Sequence, residues 1–145
     1  MSRHHIEVSN RLVHYCLDLE EKVTVLKGNS ATGKTELIRL ITDYNQCGQS
    51  SGVTVLSDWK CSVLTGENWQ MMLKHMHQRI MFADQKNTFL TSRAFADAVR
   101  DSDNDFVLIC RDPLYLKTRH VYGLKESETH EDKGTVWNEM YRISD

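Results

Sequence analysis

The sequence predicts an α/β layered domain: a mainly parallel central sheet flanked by helices, with a β-hairpin at its N-terminal end. Three observations predict it. Short β-branched and apolar strands alternate along the chain with segments of helical periodicity. One strand, FVLIC at 106–110, is too uniformly apolar for an edge and reads as buried on both faces. The opening residues carry two short alternating segments joined by a turn. The 145 residues suit one domain, spanning 1–145, with a core of its own and no room for a second.

The elements follow in order. IEV at 6–8 and the alternation Val13, Tyr15, Leu17, Leu19 read as two strands turning at Ser9-Asn10. VTVL at 23–26 is a third, β-branched strand. Leu37, Ile38, Leu40, Ile41 and Tyr44 recur at helical spacing, so a helix is expected from Lys34 to Tyr44, and CGQSSG at 47–52 breaks it. VTVL at 53–56 is a strand, and CSVL at 61–64 either pairs with it or continues a loop. Trp69, Met72, Leu73 and Met76 form one apolar helix face, read as core. Ile80 to Ala83 form a strand, and a helix runs from Thr91 to Arg100 with Phe95 and Val99 inward, ended by DSDND. After FVLIC comes VYGL at 121–124, a last strand; KESETHEDKG is a charged loop, and VWNEMYRI at 136–143 fits strand or helix.

Hydrophobic residues at 40% and charged residues at 26% are ordinary globular proportions, neither disordered nor membranous. The longest apolar runs are far too short to cross a bilayer, and MSRHHIEVSN has no secretory leader pattern, so a cytoplasmic location with no membrane partner is expected. Cys16, Cys47, Cys61 and Cys110 are scattered with no C-x-x-C pair, which suggests reduced structural thiols. His75 and His77 would point apart on a helix, against a shared metal. A net charge of −2 argues against nucleic-acid binding through the whole surface. Lys117, Arg119 and His120 keep a local basic patch, and so nucleic acid, among the open partners.

Chemistry concentrates at GNSATGKT, residues 28–35, a complete G-x-x-x-x-G-K-[ST] motif between an expected strand and an expected helix. Glycines let successive backbone N–H groups form a concave ring around phosphate. Lys34 would bridge the terminal phosphates, the Thr35 hydroxyl would hold Mg²⁺, and the helix start adds its positive dipole. The nucleotide-binding set is Gly28, Asn29, Ser30, Ala31, Thr32, Gly33, Lys34, Thr35 and Glu36. No N-K-x-D tetrapeptide occurs, which favours ATP over GTP.

A second carboxylate at the end of a neighbouring strand would complete the Mg²⁺ shell, and Asp84 in IMFADQ fits; it could instead only start the following loop. Gln85 follows where a general base would serve hydrolysis. An amide has no useful proton affinity near neutrality, and loss of a general base slows chemistry by about 10²–10⁴-fold. An amide can still orient a water. Arg111, after FVLIC, could read the γ-phosphate through two hydrogen bonds or pair with Asp112. Arg93 and Arg119 are weaker candidates for an arginine offered to a neighbouring subunit.

With GNSATGKT, IMFADQKNTF and VLICRDPLY, the chain resembles the N-terminal ATPase part of a poorly characterised group of small P-loop proteins from Firmicutes and related bacteria. The resemblance runs from about His5 to the C-terminus and includes IEVSNRLVHY, TFLTSRAFADAVRDSDN and VYGL. It implies a P-loop NTPase fold with an added strand between the Walker A and Walker B strands, and a Walker pair at Lys34, Thr35 and Asp84. Similar proteins carry Asp-Glu where this chain has Asp84-Gln85, and Thr-Arg where it has Cys110-Arg111; many continue into a further C-terminal domain. The two strands before the motif also resemble the start of ABC-type ATPase heads, though no LSGGQ-like signature occurs.

The expected function is Mg-dependent ATP binding with slow or partner-dependent hydrolysis, with Lys34, Asp84, Gln85 and Arg111 as catalytic groups and Thr35 and Asp84 on the metal. The expected partners are the nucleotide and a protein, another or a second copy. The alternatives are an ATP-gated binding module without significant turnover, and a small-molecule kinase with LYLKTRHVY at 114–122 as its lid.

Overall fold

The computed structural model describes residues 3–27, 34–111, 115–116, 121–127 and 135–144. Nine strands form one sheet in the order β4-β1-β2-β9-β8-β3-β7-β6-β5. They are β1 His4–Ser9, β2 Val13–Leu19, β3 Val23–Leu26, β4 Thr54–Leu56, β5 Lys60–Val63, β6 Arg79–Asp84, β7 Asp105–Ile109, β8 Val121–Glu126 and β9 Val136–Ser144. Three α-helices are described: α1 Lys34–Cys47, α2 Trp69–His75 and α3 Arg93–Asp101.

This corrects the expected architecture. The sheet is mixed and curls into a half barrel, with 41% of the described residues in strands against 31% in α- and 3₁₀-helices. It is not the mainly parallel, helix-flanked α/β P-loop NTPase fold with an appended hairpin that the sequence predicts. The β1–β2, β1–β4 and β8–β9 pairings are antiparallel, whereas β9 joins β2 in parallel. The expected hairpin is thus no appendage: β4 extends it on one side, and β9 fuses it to the rest on the other. Of the two strands between β3 and β6, β4 pairs with β1 while β5 runs parallel to β6, so CSVL does not pair with VTVL. VWNEMYRI, open between strand and helix, is a strand because β8 and β2 flank it.

Strand periodicity sorts side chains to two cores. Leu26, Ile80, Phe82, Val107 and Ile109 face α1 through Leu37, Leu40 and Ile41. Val25, Met81, Ala83, Phe106 and Leu108 face the opposite way, against Trp69, Leu73, Phe95 and Val99. In that second core Phe89 lies 5.1 Å from Trp69 and 5.2 Å from Phe95, separations at which aromatic rings attract beyond their burial. The hairpin is covered on one side: Ile6, Val8, Tyr15 and Leu17 point into the α1 core, and the alternate residues point outward.

Polar contacts fix the joints. Asn10 Oδ1 accepts from the N–H groups of Leu12 and Val13 at 2.8 and 2.9 Å, which closes the first turn. Ser92 caps α3 by accepting from Phe95 N–H at 3.1 Å. Asn104, fully buried, accepts from Arg79 N–H at 2.8 Å and donates to the Met76 carbonyl at 2.9 Å, holding the entry to β6. The curl has its own link. His4 Nε2 lies 2.8 Å from Asp105 Oδ2 and its Nδ1 lies 3.0 Å from Asp58, while Arg3 donates to Asp105 Oδ1 at 3.0 Å. These bonds join β1 to the start of β7, although four strands separate the two in the sheet.

Candidate functional site

The strands that carry the predicted site residues end level with one another. β3, β7 and β6 are parallel neighbours, with Leu26 opposite Ile109 and Ile109 opposite Asp84. Cys110 N–H donates to the Leu26 carbonyl at 3.3 Å, and Gln85 N–H donates to the Ile109 carbonyl at 3.0 Å, so the pairing holds to the last residues. Lys27, Asp84, Gln85 and Arg111 therefore leave the sheet on one edge.

Between Lys27 and α1 lie Gly28, Asn29, Ser30, Ala31, Thr32 and Gly33, which fall outside the described residues. Lys34 opens α1 and is 7% exposed. Burial pushes its ammonium pKa below the usual lysine value. Thr35 is exposed. Glu36 turns along the helix to Arg39, with Oε1 2.5 Å from Nε and Oε2 2.9 Å from Nη2, and this contact holds its carboxyl below the usual range.

Asp84 ends β6 half-buried. Its Oδ1 accepts from Lys86 N–H at 3.0 Å, and its carbonyl accepts from Asn87 N–H at 3.1 Å, so it does start the loop as an Asx turn would. Its Oδ2 carries no hydrogen bond among the described residues. Gln85 is exposed, and among the described residues it is held by its backbone N–H. Asn87 Oδ1 accepts from Gly66 N–H at 3.2 Å, drawing the loop after β5 against the loop after β6. Glu67, Lys86 and Asn87 consequently share a cleft, which brings in a carboxylate that motif reading missed; only the β5–β6 pairing could have signalled it.

Arg111 is exposed just beyond β7. Asp112, its alternative partner, and Lys117, Arg119 and His120 of the basic patch lie outside the described residues, as does most of LYLKTRHVY. Arg93 packs over the Tyr115 ring, 5.1 Å from its centroid. His77 lies beyond the end of α2 and bonds Asp103 at 3.0 Å.

Away from this edge, Glu7, His14 and Cys16 bring their potential ligand atoms within 4.8 Å of one another on the outer face of the hairpin. Sequence spacing missed them because Glu7 and Cys16 meet only through strand register. No helix among the described residues is long and apolar enough to cross a membrane. No protein-family model matches the sequence, and a search of curated proteins finds no match either.

Proposed function

We propose that the chain binds Mg·ATP through residues 28–36 and hydrolyses it slowly or only with a partner. The observation that carries this reading is the level ending of β3, β7 and β6, which brings Lys27, the residue before the phosphate motif in sequence, to the same sheet edge as Asp84-Gln85 and Arg111. Lys34 supports it as a buried cation at a helix start, an environment that favours an anion beside it. Backbone N–H groups of the glycine loop and Lys34 would hold the phosphates; the Thr35 hydroxyl and Asp84 Oδ2 would complete the Mg²⁺ shell. Bound Mg²⁺ would offset the phosphate charge. Gln85 is followed by Lys86 and Asn87, so the loop itself supplies no general base. Glu67, across the cleft, is the carboxylate that could stand in. A cytoplasmic location belongs to the same reading, with no disulfide joining Cys16, Cys47, Cys61 and Cys110 among the described residues.

The exposed, base-less position 85 also favours the second reading, an ATP-gated binding module in which occupancy and not turnover is the purpose. Mg²⁺-dependent ATP turnover by the purified chain beside Gln85→Glu separates the two. A rise of about 100-fold in the variant, the usual worth of a general base, is expected if position 85 limits an assembled site. Equal rates would remove Gln85 from the mechanism.

A further inference from the structure

We propose a metal site on the outer face of the β1–β2 hairpin, in which Glu7, His14 and Cys16 hold a borderline-soft divalent cation, Zn²⁺ foremost. Antiparallel register sets Glu7 directly opposite Cys16, and His14 lies two residues from Cys16 on the same face. Their neighbours Ile6, Val8, Tyr15 and Leu17 point the other way into the core, so rigid strands carry all three ligands. The donor atoms already lie within 4.8 Å of one another, and His14 Nε2 is 2.6 Å from Glu7 Oε1. Donors around tetrahedral zinc sit roughly 3.5 Å apart, given bonds of about 2.0 Å to nitrogen and 2.3 Å to sulfur.

The surroundings are those of an oriented ligand set. His5 Nε2 holds the second Glu7 oxygen at 2.9 Å, and Asp18 holds His5 Nδ1 at 2.7 Å. This carboxylate–imidazole–carboxylate chain fixes Glu7 as outer-shell partners fix metal ligands. The His14 ring stacks on Trp137, centroids 3.7 Å apart and planes within 7°. Water fills the fourth position, since the cluster is partly exposed. One sulfur, one imidazole nitrogen and one carboxylate oxygen suit zinc and disfavour Mg²⁺ or Ca²⁺. Binding breaks the Cys16 S–H bond, forms the metal–sulfur bond and releases the proton to solvent.

Co²⁺ is the probe, added without nucleotide to the full chain after chelator treatment and under reductant. The expected result is a one-to-one titration with a sulfur-to-cobalt charge-transfer band, displaced by Zn²⁺. The band should vanish in Cys16→Ser, and affinity should fall about tenfold or more in His14→Ala. It should persist in Cys47→Ser and in Lys34→Ala, which keeps this site separable from the nucleotide site. Absence of the band in the folded wild-type chain, or its survival in Cys16→Ser, would overturn the proposal. Should those variants fail to fold, alkylation of Cys16 in the wild-type chain decides: slowing by stoichiometric Zn²⁺ supports the site, and an unchanged rate overturns it.

Discussion

Lys34 and Arg111 show how much a single residue tells before its surroundings are known. Lys34 was legible because the motif demands a lysine at a fixed offset from two glycines, a local requirement of phosphate chemistry. Its burial at the helix start was not legible, since the motif fixes the residue type and not its exposure. Arg111 projects from the edge that also carries Asp84, where a third phosphate could reach it. If it reads that phosphate, the wild-type chain prefers ATP to ADP, and Arg111→Ala loses about 10–100-fold of that preference, the worth of hydrogen bonds to a charged group. Competition of the two nucleotides for a fluorescent analogue measures it; an unchanged ratio would return Arg111 to an ordinary surface role. Glu7, His14 and Cys16 were illegible for the opposite reason, because nothing in their spacing reveals a meeting across strands.

At the scale of elements, hydrophobic periodicity located most strands and helices but did not choose their neighbours. Trp69, Met72 and Leu73 announced α2 by spacing alone, although Met76, expected on the same face, is the extended residue that ends it. VWNEMYRI could not be decided locally, because its apolar positions fit either period and only β8 and β2 settle it. Helix α1 carries a testable electrostatic detail in its first turn. The Arg39 contact holds the Glu36 pKa below its free value of 4.5, so its stabilisation is present in full above that value and is lost as pH falls through the folded one. The wild-type chain should therefore exceed Glu36→Gln in stability by about 0.2–0.5 kcal/mol near neutrality, as exposed helix pairs do. Urea denaturation between about pH 3 and 7 should show that gap close on acidification and shrink in high salt; a gap that widens toward acid would refute the assignment.

The whole molecule is where the sequence reading failed, and the cause is sequence separation. β1 and β2 look like a self-contained hairpin, yet β9, more than a hundred residues later, pairs with β2 and makes the sheet continuous. The curl depends on equally distant partners, since His4 and Arg3 meet Asp105. Asp105 is 2% exposed, so removing its carboxylate leaves His4 Nε2 buried without its partner, while Nδ1 keeps Asp58, and frees the arginine. Asp105→Ala should cost about 3–5 kcal/mol, the usual result of breaking a buried pair from one side. Chemical denaturation would test this, and a loss below about 1 kcal/mol would mean that the curl is held by apolar packing alone.

The most direct test of the central claim is a calorimetric titration of Mg·ATP into the purified chain beside Lys34→Ala, with far-UV circular dichroism to verify that both are folded. The account predicts saturable, one-to-one, Mg²⁺-dependent binding to the wild-type chain and none to the variant. No saturable binding to the wild-type chain, or equal affinity in Lys34→Ala, would contradict it.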